Sequence, residues 1–215
     1  MSIRVDRHIA VAAAAVVWLT MGVLTGPVLS VTPLRVCSVA GSVAALAAAA
    51  YEPLIWRWSS VRRLTGVPLL AGTWRGTIVS SYVHRGGAAT APMPAVARIT
   101  QTGSKITVTV LTAESSSRSS HARLRRLPDQ RWSLSWFYEN TPRVAVRHRS
   151  ERHCGWADAA VGGAGAGLVG EFFTDRLTRG EVRFDEWSPT MYATAEAALR
   201  AADFQAPRPF ADRRP

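Results

Sequence analysis

The chain has 215 residues and a formal net charge of +11. That length fits one modest domain with a smaller appendage, and the two cysteines, Cys37 and Cys154, are far apart in sequence, which argues against a disulfide framework and for a reducing compartment. The basic excess is nearly all arginine, Lys105 being the only lysine; it suits anionic lipid, nucleotides or nucleic acid without choosing among them.

The first element in chain order is apolar. No charged residue occurs from Ile9 to Leu34, and after Arg35 the apolar run resumes from Val36 to Tyr51 and continues through Trp56. A membrane span needs ~20 apolar residues. Two fit, over about residues 9–29 and 35–56, so residues 1–63 are expected to form a transmembrane helical hairpin. A cleaved signal peptide is the competing reading, but the first run is long for one and a second run follows directly. Arg4 and Arg7 precede the hairpin, Arg57, Arg62 and Arg63 follow it, and Arg35 alone sits in its loop. The positive-inside rule then places both termini in the cytoplasm of a multi-pass membrane protein.

Beyond Thr65 the pattern changes to short alternating runs. Expected strands are Thr73–Tyr82, Val96–Gln101, Ile106–Thr112, Ser119–Leu127, Trp132–Asn140, Val144–Ser150, Gly155–Val161, Leu168–Leu177 and Glu181–Phe184. Turn signals separate them at Gly86-Gly87, Gly103-Ser104, Pro128-Asp129 and Thr141-Pro142. About eight short strands at regular spacing predict an all-β domain over residues 66–187, a compact antiparallel β-barrel whose closure removes exposed edges. The stretches 84–95 and 162–167 read as loops. Residues 188–215 read as a short helix over Thr190–Ala202 and a disordered tail from 205.

Catalytic patterns are missing from the sequence. There is no phosphate-cradling glycine loop, no HExxH and no zinc-like Cys–His spacing. His153 and Cys154 are adjacent and point to opposite faces of a strand. Glu171 and Asp175 share a face but lie about 13 Å apart along it, beyond the ~5–9.5 Å of paired glycosidase carboxylates. The chain is expected to be neither an enzyme nor a metal protein, with no DNA or RNA partner.

Binding is the better expectation. In WSLSWFYEN the even positions Trp132, Leu134, Trp136, Tyr138 and Asn140 make the better inner face. In GEFFTDRLTRGE, Gly170 and Phe172 favour the even face too, which turns Thr174, Arg176 and Thr178 inward. An arginine buried without a partner is very costly. Arg176 therefore needs a carboxylate, a set of carbonyls, a wet mouth or an anionic ligand, and the residues leave a structural role and a ligand role open.

Four stretches carry a resemblance: LAGTWRG at 70–76, ITQTGSKITV at 99–108, WSLSWFYENTP at 132–142 and LVGEFFTDRLTRGEV at 168–182. Following a two-span hairpin, they resemble the two-transmembrane, β-strand-rich effectors of cyclic-oligonucleotide antiphage signalling (CBASS), in which a minimal β-barrel is the cyclic-dinucleotide receptor. Phe172 stands where that pattern often has tyrosine. The resemblance implies no cofactor, a cyclic dinucleotide made by a partner nucleotidyltransferase as ligand, a homo-oligomer on activation, and disruption of the inner-membrane lipid that kills the cell. It implies a ligand site drawn from Gln101, Tyr138, Asn140, Thr174, Arg176 and Thr178. An eight-stranded barrel is nearly filled by its own side chains, so the ligand is expected at a mouth or between protomers. The alternative is a membrane-anchored, lipocalin-like carrier of a small ligand.

Overall fold

In a computed structural model of the protein the described residues are 66–81, 91–148, 150–162 and 167–207, with 39, 41–43, 45 and 46. Those last few are helical and fall in the second expected span; the rest of the expected hairpin lies outside the described residues. Among the described residues no helix is long and apolar enough to cross a membrane. The chain divides into two compact units, and the second, Pro68–Gln101 with Lys105–Pro215, contains every described strand.

Eight antiparallel strands close into a barrel in sequence order: β1 (Gly72–Ser80), β2 (Met93–Gln101), β3 (Ile106–Leu111), β4 (Ser115–Arg126), β5 (Trp132–Pro142), β6 (His153–Val161), β7 (Leu168–Thr174) and β8 (Arg179–Ser188). β8 pairs back onto β1, from Thr73↔Ser188 to Ser80↔Gly180, with a bulge at Arg75/Gly76. A second bulge interrupts the β4–β5 ladder between Ser119 and His121. Bulges raise local twist and help a small sheet close.

Alternation decides what fills the barrel. On β5 the even residues Leu134, Trp136, Tyr138 and Asn140 are buried, as the sequence pattern requires. Trp74, Ile99, Val108, Leu168 and Phe184 meet them from other strands. Small residues, Ala95 and Ala97 on β2 and Ala157 and Ala159 on β6, leave room for the two tryptophans. Trp74, Val108, Val110 and Leu134 are buried, whereas Ile106 and Phe172 are half-buried at the ends and pack against the core.

Five expectations are corrected. Val144–Ser150 is not a strand; Val144–Val146 forms a 3-10 turn, because β4 and β6 already occupy both edges of β5 and leave this segment no ladder to join. β7 ends at Thr174, not Leu177, and the chain reverses through a turn in which Leu177 adopts φ 59°. The C-terminal helix, α1, covers only Ala195–Arg200, capped by Thr194, whose Oγ1 accepts from the Ala197 N–H at 3.1 Å. Gln205, expected in a disordered tail, instead bridges Trp187 through backbone hydrogen bonds of 2.8 and 2.9 Å. The expected loops fall partly outside the described residues, and Met93–Ala95, within the first of them, belongs to β2.

The C-terminal segment straps the outside of β8, β1 and β2. Ala195 and Ala198 of α1 pack on Val96, an outward residue that is fully buried for this reason. The Thr73 hydroxyl donates to the Thr190 carbonyl at 2.6 Å. Asp203 accepts from Ser188, Thr190 and Tyr192 at 2.6, 2.9 and 2.5 Å. Arg75 pairs with Glu186 at 2.5 Å and lies 4.4 Å from the centre of the Phe204 ring.

Candidate functional site

The barrel's two ends differ. At the end where β1 begins, the interior is plugged. The Leu70 N–H donates to Gln101 Oε1 at 2.8 Å, Gln101 Nε2 donates to the Pro68 carbonyl at 3.0 Å, and the Trp74 indole donates to the Leu70 carbonyl at 2.8 Å. At the opposite end the interior opens into a cavity of about 230 Å³. Its inner part is apolar, formed by Ile78, Met93, Val110 and the rings of Tyr138 and Phe172. Polar groups surround its mouth: Ser80, Thr112, Ser115, Ser117, Asn140, His153, Thr174 and Thr178, with Arg176 and Glu114.

Five of the six residues expected in the ligand site therefore line one cavity: Tyr138, Asn140, Thr174, Arg176 and Thr178. Gln101 does not. It lies at the plugged end, with its side-chain amide used to hold the segment before β1.

Backbone geometry sets the two rings. Tyr138 pairs across to Gly155 on β6; a Cβ there would come within 2.5 Å of the Tyr138 Cζ. Phe172 pairs with Gly180 on β8, where an added Cβ would fall 2.7 Å from the Phe172 ring. Each ring thus lies over a glycine, and the missing side chain leaves the space the ring fills. Burial, with the Asp175 carboxylate nearby as the smaller cause, pushes the Tyr138 hydroxyl up to about 12. The phenol accordingly stays protonated and can donate a hydrogen bond. Among the described residues it has no hydrogen-bond partner, and neither does Asn140 Nδ2, the Asn140 Oδ1 accepting from Ser117 at 2.8 Å.

Arg176 does not stand on a strand face. It sits in the β7–β8 turn, exposed, its N–H donating to Thr174 Oγ1 at 3.2 Å. The turn is tied by the Thr174 and Thr178 hydroxyls at 2.6 Å and by the Thr174 N–H to the Thr178 carbonyl at 2.9 Å. The guanidinium reaches the Glu151 carbonyl only at 3.5 Å and pairs with no carboxylate among the described residues. Of the roles left open by the sequence, burial against an internal carboxylate is thereby removed. Among the described residues the arrangement is an apolar recess whose mouth holds a cation that meets no carboxylate and two donors without partners, which suits a flat ring system bearing an anionic group.

Sequence reasoning missed part of the lining. Ile78 and Ser80 follow from the parity of Trp74 on the same strand. His153, notable in the sequence only for facing away from Cys154, lines the mouth. Ser115 and Ser117 belong to SSSRSSHARLRR, a strand with almost no apolar period, and no pattern signalled them. Among the described residues no group of His, Cys, Asp or Glu could hold a metal ion.

The family model "Cap15, cyclic dinucleotide receptor domain" matches residues 65–186. No curated protein matches the chain. The matched span contains all eight strands except the last two residues of β8, and every described residue lining the open mouth, and with more than half of its length inside that model the chain belongs to the Cap15 cyclic dinucleotide receptor family.

Proposed function

We propose that this chain is a membrane effector of cyclic-oligonucleotide antiphage signalling, and that its open mouth is where the cyclic dinucleotide binds. The observation that carries the site is the set of groups there with capacity to spare among the described residues: the Arg176 guanidinium, which meets no carboxylate, the Tyr138 hydroxyl and Asn140 Nδ2, beside an apolar recess. Arg176 binds a phosphate by charge-assisted hydrogen bonds, in a fork a lysine does not reproduce. Tyr138 and Asn140 donate to base or ribose, with Thr174 and Thr178 beside them, and a base stacks on the rings. A partner nucleotidyltransferase makes the messenger in the cytoplasm. The two expected spans, residues 9–29 and 35–56, hold the barrel at the inner membrane with both termini cytoplasmic. On binding, the protein clusters and the spans disrupt the bilayer.

The test is binding of the purified full chain in detergent to a panel of cyclic dinucleotides, followed by leakage from vesicles carrying the chain. Arg176→Ala is expected to weaken binding at least tenfold and to leave the melting temperature near that of wild type, since Arg176 is exposed and its guanidinium pairs with no carboxylate among the described residues. A folded chain that binds no member of the panel would overturn the receptor reading. Binding without nucleotide-dependent leakage would overturn the membrane step alone.

A further inference from the structure

The mouth is small for the messenger this reading assigns to it. Its cavity of about 230 Å³ falls below the ~300–1,000 Å³ of pockets that enclose a drug-sized ligand. A cyclic dinucleotide, with two bases, two riboses and two phosphates, is larger than such a ligand. The space suits one base and its sugar.

Among the described residues the positive charge at the mouth is half of what the messenger's two phosphates call for. Among the described residues lining the mouth there is one guanidinium, Arg176, with one carboxylate, Glu114, and one imidazole, His153. The messenger brings two phosphates, and Arg176 can pair with one. The rim also carries apolar side chains turned to solvent. Leu177 is 95% exposed in the β7–β8 turn and Val144 is 76% exposed just after β5. Both connections lie at the open end. Leu177 is moreover held at φ 59°, a conformation that β-carbon-bearing residues seldom adopt.

We propose that each mouth is half of a ligand site and that a second copy of the chain supplies the other half. The proposal rests on the receptor reading. The messenger's ring has a two-fold or near two-fold axis, and an isologous pair of barrels has the same symmetry. Each mouth takes one base and its Arg176 takes one phosphate. Leu177 and Val144 of the two rims cover one another and touch the partner rim, not the nucleotide. The second copy thus brings the missing cation, the missing volume and the cover for the apolar rim. A ligand held by two mouths links them by mass action. A large excess of ligand gives each mouth a messenger of its own and separates the pair.

The test titrates the full chain in detergent with cyclic di-AMP, cyclic di-GMP and cyclic UMP–AMP, following heat and particle mass together. The expected result for a binding member is one dinucleotide per two chains, pairs at low ligand ratio, and loss of pairs in large excess. The 5′-mononucleotide of a bound base should occupy each mouth without pairing and should suppress pairing by the dinucleotide. Leu177→Asp should keep mononucleotide affinity within about twofold and weaken pairing at least tenfold. One dinucleotide per chain, with association unchanged in excess ligand, would overturn the half-site and leave the receptor reading standing. If that one-to-one binding also fell on Arg85→Ala, the β1–β2 connection of the same chain would be the source of the second cation. Binding to no panel member would sink both readings together.

Discussion

Tyr138→Phe isolates one atom of the site. The hydroxyl makes no hydrogen bond among the described residues, so at neutral pH its removal should change stability little. Alkaline solution should separate the two proteins. Burial, aided by the Asp175 charge, raises the phenol from 10.0 to about 12. A group whose folded pKa is raised contributes stability that is fully present below the unfolded value and is lost as pH rises through the folded one. For Tyr138 that window runs from pH 10 to about 12. At pH 11 the unfolded phenol is mostly ionised and the folded one is not, so about 1.4 kcal/mol should have been lost by wild type relative to the variant. By pH 12 and beyond the difference approaches about 2.7 kcal/mol. Urea unfolding of both proteins, followed by tryptophan fluorescence from pH 8 to pH 11.5, measures it, because the remaining tyrosines are common to both. The difference spectrum of tyrosinate absorbance reads the same group directly. A Tyr138 contribution that titrates near 10, or equal alkaline losses in the two proteins, would refute the claim that this hydroxyl is buried and held neutral.

Three further outcomes are expected. Leu134→Ala removes a fully buried side chain from the middle of β5 and should cost about 2–5 kcal/mol in unfolding; a variant that melts like wild type would show that residue not to be core. Gly155→Ala should drive the Tyr138 ring toward the cavity, costing about 1–3 kcal/mol of stability and weakening nucleotide binding by more than its folded fraction accounts for. The hydroxyls of Ser188, Tyr192 and Thr190 hold the Asp203 carboxyl down at about 2; the strap it anchors should be stable above about pH 4 and loosen as pH falls toward 2, and Asp203→Asn should expose the C-terminal segment to protease at neutral pH while the barrel stays intact.

The fold was legible where one face of a strand is apolar. WSLSWFYEN and ITVTVL alternate cleanly, and their inner faces are those the pattern assigns. β4 was legible only in its second half, because Ser115, Ser117 and Ser119 face inward and carry no hydrophobic signal. There the Ser119 hydroxyl accepts the Val108 N–H at 2.9 Å beside the bulge, doing by side chain what the ladder does elsewhere. The site was legible in part for a reason of direction. In an up-and-down barrel, odd strands run one way and even strands the other. Tyr138, Asn140 and Thr174 all stand near the ends of odd strands, β5 and β7, so they meet at one mouth. Gln101 ends an even strand, β2, and is carried to the other end. Sharing an inner face was visible in the sequence; sharing an end required the strand count, which the false strand at Val144–Ser150 blurred. Arg176 failed differently. Periodicity extends a strand until something stops it, and the Thr174–Thr178 tie that stops β7 depends on a three-dimensional turn.

The order of the strands bears on how the molecule is assembled and where it comes apart. Seven of the eight ladders join strands that follow one another in sequence, and each can form as a local hairpin. The ladder between β1 and β8 is the exception. It brings together segments about a hundred residues apart, the kind of contact whose loop entropy must be met before it is rewarded. This ladder is therefore the expected last step of folding and first step of opening. The C-terminal strap lies across it, bonded to β8 through Ser188 and Trp187 and to β1 through Thr73 and Arg75. It acts as a latch on the slowest closure in the chain. Its loss should appear chiefly as faster unfolding, with the hairpin-forming steps unaffected.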